Sequence, residues 1–135
     1  MIRGIGMDLV EISRVKSFME GQSGARFVSR VLTAGEQKLV SERNSRAAEF
    51  VAGRFAAKEA VVKALGTGIG ATVGLHDMEI LPDQSGKPEV VLSPGALERL
   101  GYGPGILKLH LSITHTREYA AAYAVAETAD GKEWG

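Results

Sequence analysis

The chain has no cysteine, which excludes disulfides, thiolate nucleophiles and cysteine-ligated metals. It has no excess of charge either, since Lys+Arg and Asp+Glu both number 16. That balance argues against non-specific nucleic-acid binding and leaves only a local basic patch as a route to acidic partners. No apolar run is long enough to span a bilayer, and the opening "MIRGIGMDLV" is too short and too interrupted for a signal peptide. A cytoplasmic protein without membrane association is expected. Repeats, linkers and low-complexity stretches are missing as well. What is present, 135 residues of which 44% are hydrophobic and 24% charged, suits a single domain over residues 1–135 with a real core.

Local patterning predicts an α+β fold, a mainly antiparallel sheet packed on helices with the longest helix in the middle. "IRGIGMDLV" alternates, with Ile5, Met7 and Leu9 on one face and Gly4, Gly6 and Asp8 on the other. "EISRVKSFM" then takes helical spacing, with Ile12, Val15 and Met19 on one stripe, until "GQSG" breaks it. A further helical turn or two follows in "ARFVSRVL". Thr33 and Glu36 have capping-box spacing, predicting a helix over 33–42, and Ser45 is a candidate cap for a long helix over 46–65. "HDMEIL" and "KPEVVL" flank the turn signal "PDQSG" as a hairpin. Ser93 and Pro94 open a short helix. Two strands follow, "ILKLHLSITH" and the small-residue run "YAAAYAVAE".

The central helix carries its charges in unusual places. In "GRFAAKEAVVKALG", residues 53–66, Arg54 and Lys58 fall within a broad apolar arc, while Glu59 and Lys63 lie four apart on a second stripe lined by alanine. An i,i+4 Glu–Lys pair worth a few tenths of a kcal/mol is the ordinary reading. This helix has too few other polar residues to be solvated all round, however. Both charged stripes are therefore expected to face protein or ligand, where unpaired charge is costly.

Asp8 ends the polar face of the first strand and is either a cap for the following helix or a ligand. A carboxylate at a strand end and another on a helix, with no further acidic cluster, suit Mg²⁺, which commonly takes one or two carboxylates and leaves the rest to water and phosphate. "GTGIG" after the helix is not a Walker loop, which precedes its helix; it reads as helix termination at Gly66 with room for a ligand to approach backbone. His115 is a core or turn histidine by position, and His76 and His110 read as structural. Arg14 and Phe18 sit together at the edge of the first helix's apolar stripe, and Arg26 and Arg30 lie one turn apart in the next segment. They form a solvated basic edge or a docking surface.

Three segments, "GIGMDLVEISRV", "FVAGRFAAKEAVVKALGTGIG" and "LSITHTREYAAAYAV", closely resemble the holo-acyl-carrier-protein synthases, the small bacterial phosphopantetheinyl transferases, in the same order over residues 1–127. The resemblance implies transfer of phosphopantetheine from coenzyme A to a serine of apo-acyl carrier protein in fatty acid biosynthesis, releasing adenosine 3',5'-bisphosphate, by a Mg²⁺-dependent homotrimer with active sites between subunits. It makes Asp8 and Glu59 metal ligands and Lys63 a contact to phosphates and reacting oxygens. Arg54, His115 and Thr116, with Arg46, become nucleotide-phosphate contacts, and the glycines from Gly66 let backbone pass close to the nucleotide. Glu59, directly or through water, becomes the base for the serine proton. Arg14, Phe18, Arg26 and Arg30 become docking residues for the acidic carrier. Two rivals remain. A broader carrier-domain transferase is generally about twice this length with two related halves, and a catalytically silent coenzyme A-binding module would not need both carboxylates and Lys63.

Overall fold

A computed structural model describes residues 1–129, and residues 130–135 of the tail lie outside that description. Strand β1 (Ile2–Glu11) pairs antiparallel with β5 (Tyr119–Thr128), which pairs antiparallel with β4 (Leu107–His115). The expected hairpin, β2 (Met78–Pro82) and β3 (Pro88–Leu92), forms a separate two-stranded sheet. The Asp83 carboxylate closes its turn by accepting the backbone N–H groups of Ser85 and Lys87. Five α-helices complete the described residues: α1 (Ile12–Glu20), α2 (Gly24–Val31), α3 (Ala34–Val40), α4 (Ala47–Leu65) and α5 (Pro94–Leu100). None is long and apolar enough to cross a membrane.

The capping signals are partly realised. Thr33 caps α3 in a reciprocal box with Glu36, and Ser93 caps α5 with Pro94 behind it. Helix α3 stops at Val40, short of the expected 42, because the chain turns at Ser41–Arg43. Ser45 does not cap α4. It lies inside a 3-10 turn, Asn44–Arg46, and the helix starts at Ala47 without a side-chain cap. At the other end Gly66 takes φ 78°, and its N–H and that of Thr67 close the last turn on Lys63 and Val62 carbonyls.

Helix α4 lies across the three-stranded sheet on a surface of very small residues. Register places Gly4 opposite Ala126, Gly6 opposite Ala124 and Asp8 opposite Ala122, with Leu109, Leu111 and Ile113 of β4 continuing those rows. Ala120, Ala122, Ala124 and Ala126 are buried beneath α4 of their own chain, so their small size serves this contact and not the approach of a second chain. The glycines are smaller still for the same reason. A β-carbon at Gly4 would fall 2.0 Å from the Ala64 carbonyl oxygen, and one at Gly6 would fall 2.1 Å from that of Ala60. They therefore let a helix backbone touch a strand; the space they free beside Asp8 is filled by α4.

Two further features depart from a plain amphipathic layout. Lys58 is fully buried, and its ammonium donates to Glu36 Oε1 at 2.7 Å, the Val31 carbonyl at 2.7 Å and the Leu75 carbonyl at 3.0 Å. Glu36, equally buried, also accepts from the Thr33 and Ile80 N–H groups. So Lys58, expected to face protein or ligand, belongs to the framework. Burial pulls its pKa down, and the Glu36 carboxylate opposes that pull. On the opposite side of the sheet Ile5, Met7 and Leu9 are 59%, 58% and 61% exposed, beside Tyr119 and Tyr123. The apolar face of β1 is thus the open one and its glycine face is the buried one.

Close contact between α4 and β1 makes a clear prediction. Gly6→Ala should destabilise the protein by about 3 kcal/mol, at the upper end of overpacking costs because the obstacle is backbone. Urea denaturation checks it, and a midpoint unchanged from wild type would show that α4 can lift off the strand freely.

Candidate active site

Placing α4 on the Gly4–Gly6 track brings its second charged stripe to the end of β1. Lys63 reaches over the strand, its Nζ donating to the Asp8 carboxylate at 3.1 Å and to the Met7 carbonyl at 3.0 Å. The expected alternative, an i,i+4 pair with Glu59, is not what forms. Nor is Asp8 a helix cap: the N-cap position of α1 is Glu11, which makes no side-chain cap bond. Asp8 and Glu59 line one groove of about 380 Å³ between β1, α1 and α4, together with Arg14, Phe18, Phe27 and Phe55. Phe18 stacks on Phe27 with ring centroids 5.2 Å apart.

Electrostatics in this groove are unbalanced. Glu59 has no hydrogen-bond or ion-pair partner among the described residues. Its pKa is raised, chiefly by burial and next by the Asp8 carboxylate, with Lys63 opposing. The groove is lined by three carboxylates, Asp8, Glu11 and Glu59, and one cation, Arg14, with Lys63 bonded to Asp8. The carboxylates remain in excess, so the site favours binding either a proton or a further cation. Among the described residues no group of three or more His, Cys, Asp and Glu side chains could hold a metal. Two carboxylates open to a groove fit a hard ion that completes its shell with water and phosphate oxygens, as Mg²⁺ does.

A second groove, of about 360 Å³, lies on the other flank of α4 and faces β4 and the hairpin. It gathers three of the residues expected at nucleotide phosphates, Arg46, Arg54 and His115. Arg54 is held rigidly, with Nε donating to the Ile80 carbonyl at 3.1 Å and the guanidinium 4.4 Å from the Phe50 ring centroid. Burial lowers its pKa, without approaching neutrality for an arginine. His115 ends β4 and lies 3.3 Å from Glu49. Arg43 also lines this groove, 5.0 Å over the same Phe50 ring. Sequence reasoning passed over it, although its spacing of three from Arg46 was a usable signal.

The remaining candidates fall elsewhere. Thr116 makes the turn into β5, its hydroxyl accepting the Glu118 and Tyr119 N–H groups, and neither it nor Gly66 lines either groove. Arg26 and Arg30 line a third groove of about 650 Å³, apart from Arg14 and Phe18. His76 is bonded to the Ser29 carbonyl and His110 to Glu127.

Residues 4–124 match the family model of the 4'-phosphopantetheinyl transferase superfamily. Over 129 residues the chain is 46% identical to the holo-[acyl-carrier-protein] synthase of Shouchella clausii, covering 95% of this chain and 100% of that one. The chain belongs to the holo-[acyl-carrier-protein] synthase family. The Bacillus anthracis holo-(acyl-carrier-protein) synthase, solved in complex with CoA (3',5'-ADP), has a similar fold, with a TM-score of 0.80 and 40% identity over 96% of this chain and 99% of that chain. The Helicobacter pylori synthase in complex with coenzyme A gives a TM-score of 0.79 at 30% identity, over 91% and 99% of the two chains.

Because Glu59 keeps its proton to higher pH when folded than when unfolded, its contribution to stability falls as pH rises through and above the ordinary carboxylate range. The isosteric, uncharged Glu59→Gln should therefore raise the Tm of the metal-free protein at neutral pH. The difference should vanish below pH about 4, where the carboxyl is protonated in both states. Thermal melts at several pH values check this, and an equal or lower Tm for the variant at pH 7 would refute the unbalanced carboxylate pair.

Proposed function

We infer that this chain is a holo-acyl-carrier-protein synthase, moving phosphopantetheine from coenzyme A to a serine of apo-acyl carrier protein in the cytoplasm. The observation that carries the reading is the groove lined by both Asp8 and Glu59, with Lys63 bonded to the Asp8 carboxylate, in a chain of this family. The retained carboxylates argue against a silent binding module. Asp8 and Glu59 are the residues that would hold Mg²⁺, which when bound supplies charge neutralisation and Lewis acidity at the pyrophosphate.

The chain's own groups then have separate tasks. Lys63, half exposed beside Asp8, is free to turn its ammonium to a phosphate oxygen and stabilise charge developing there. Glu59 takes the serine proton, directly or through one water, and its raised proton affinity suits that role. The serine oxygen bonds to the phosphorus bearing pantetheine. The bond from that phosphorus to the bridging oxygen breaks, and its electron pair leaves with adenosine 3',5'-bisphosphate. Arg46, Arg54 and His115 hold the nucleotide phosphates, with Arg43 adding charge, and Thr116 and the backbone from Gly66 complete the contacts. Arg14 and Phe18 border the catalytic groove and receive the acidic carrier, while Arg26 and Arg30 extend its docking surface and steer association.

The two grooves lie on opposite flanks of α4 and share no residue. This supports an active site completed between chains, with metal ligands from one protomer and phosphate ligands from the next. The open apolar face of Ile5, Met7, Leu9, Tyr119 and Tyr123 supports a homotrimer built on the sheet, since a patch of that kind ordinarily marks an interface.

Two experiments test these assignments. Asp8→Ala and Glu59→Ala should each abolish transfer, measured by the mass of the carrier protein, and should lose the rise in Tm that saturating Mg²⁺ gives the wild type. Transfer at the wild-type rate by Asp8→Ala would sink the metal assignment. Separately, inactive Asp8→Ala and His115→Ala subunits, dissociated and reassembled in equal amounts, should regain activity. In a closed ring about a quarter of interfaces pair two intact halves. Verified mixed trimers without recovery would put both residues on one side of the site, and a monomer by sedimentation would defeat the shared site outright.

A further inference from the structure

The buried Lys58–Glu36 pair has no part in the chemistry just described, yet it stands next to Glu59 in sequence and joins three elements besides its own helix. The Lys58 ammonium spends all three donors on acceptors at the end of α2, in α3 and at the end of the loop that follows α4: Val31, Glu36 and Leu75. Helix α2 and that loop are the two walls of the third groove, lined by Arg26, Arg30, Ile69, Leu75, His76 and Asp77. A second tie crosses between the walls, His76 Nε2 lying 2.6 Å from the Ser29 carbonyl. Beyond these ties the far end of the loop is anchored by buried Val73, by Arg99 donating to the Thr72 carbonyl and by the Asp77 carboxylate accepting from Gly74 and Ser93, while its first half is open. Residues 66–71 are exposed, and Gly66 and Gly68 take φ 78° and 68° with open space where a β-carbon would be.

Stability alone does not call for an ion pair at this place, because apolar side chains of similar volume are often as stable as a buried pair. What an apolar residue cannot do is hold two carbonyls from separate elements at fixed distance and direction. We infer that Lys58, backed by Glu36, is a positioning residue for carrier recognition, setting the spacing between the Arg26–Arg30 edge of α2 and the loop wall at Leu75. This rests on the reading of that groove as carrier-docking surface. Lys58 touches neither carrier nor cofactor; it acts through the carbonyls it holds. Glu36 keeps the ammonium charged by compensating it, and is in turn anchored on the Thr33 and Ile80 N–H groups.

Removing one partner alone would strand a buried charge and unfold much of the protein, so the test uses the paired replacement Lys58→Met/Glu36→Gln. Steady-state kinetics should show the KM for apo-carrier protein rising about five- to tenfold, with kcat and the KM for coenzyme A within about twofold of wild type. A purely structural role would lower Tm and the active fraction, hence the apparent kcat, and leave both KM values alone. That outcome would overturn the inference. His76→Ala, which cuts the second tie at the surface without entering the core, should raise the same carrier KM by a smaller factor. Should the paired replacement fail to fold, this variant decides: an unchanged carrier KM refutes the positioning role. Arg26→Ala/Arg30→Ala separates the two levels of the argument. If it leaves carrier KM unchanged, the docking reading falls and the positioning role with it. If it raises carrier KM while Lys58→Met/Glu36→Gln and His76→Ala do not, only the positioning role is lost.

Discussion

The direct contact of the α4 backbone with strand β1 is the constraint on which the rest of this protein depends. Gly4 and Gly6 admit the helix to within reach of a missing β-carbon, and the buried alanine face of β5 continues that surface of small residues beneath it. With larger residues there, α4 would ride several ångströms higher and Lys63 would no longer reach the Asp8 carboxylate. The charge at the end of a strand and the charges on a helix become one site only because almost nothing lies between them. Close packing of this kind is also what makes interiors intolerant of added atoms.

Two lysines on the same helix, Lys58 and Lys63, show how the surroundings decide what a charge does. Lys58 points into the framework, where three acceptors and a carboxylate surround it completely. Lys63, five residues on, lies at the rim, half exposed with one carboxylate and one carbonyl. The first arrangement is saturated and can only hold structure. The second leaves one donor free at an exposed rim and is therefore able to change partners. Glu59, between them in sequence, is left without a dedicated partner, and its raised pKa records that imbalance.

The chain also divides its surfaces unusually. The sheet face with glycine and alanine is buried, and the face with isoleucine, methionine, leucine and tyrosine is open. Shape explains the first choice, since only small residues fit under α4. The second leaves apolar area in contact with water, and covering such area is favourable. The carboxylate and arginine grooves lie on opposite flanks of the same helix and share no residue.

Much of this was readable in the sequence. Alternation in "IRGIGMDLV", the capping pairs at Thr33 and Ser93, the hairpin turn and the long helix all depend on neighbours within a few residues, which a sequence displays directly. So does the family resemblance, and with it the pairing of Asp8 with Glu59 and of Arg54 with His115 across long separations. The start of α4 is not legible in this way, because a 3-10 turn over Asn44–Arg46 takes in Ser45 and the helix begins at Ala47 without a side-chain cap. Only the tertiary structure decided that Lys58 pairs with Glu36 across 22 residues, that Lys63 bonds Asp8 across 55 in preference to Glu59, and which face of β1 is buried. The physical reason is common to all three. Local propensity determines which residues share a face, but the partner of a charge and the cover of a face are chosen by distances that exist only after the chain has packed.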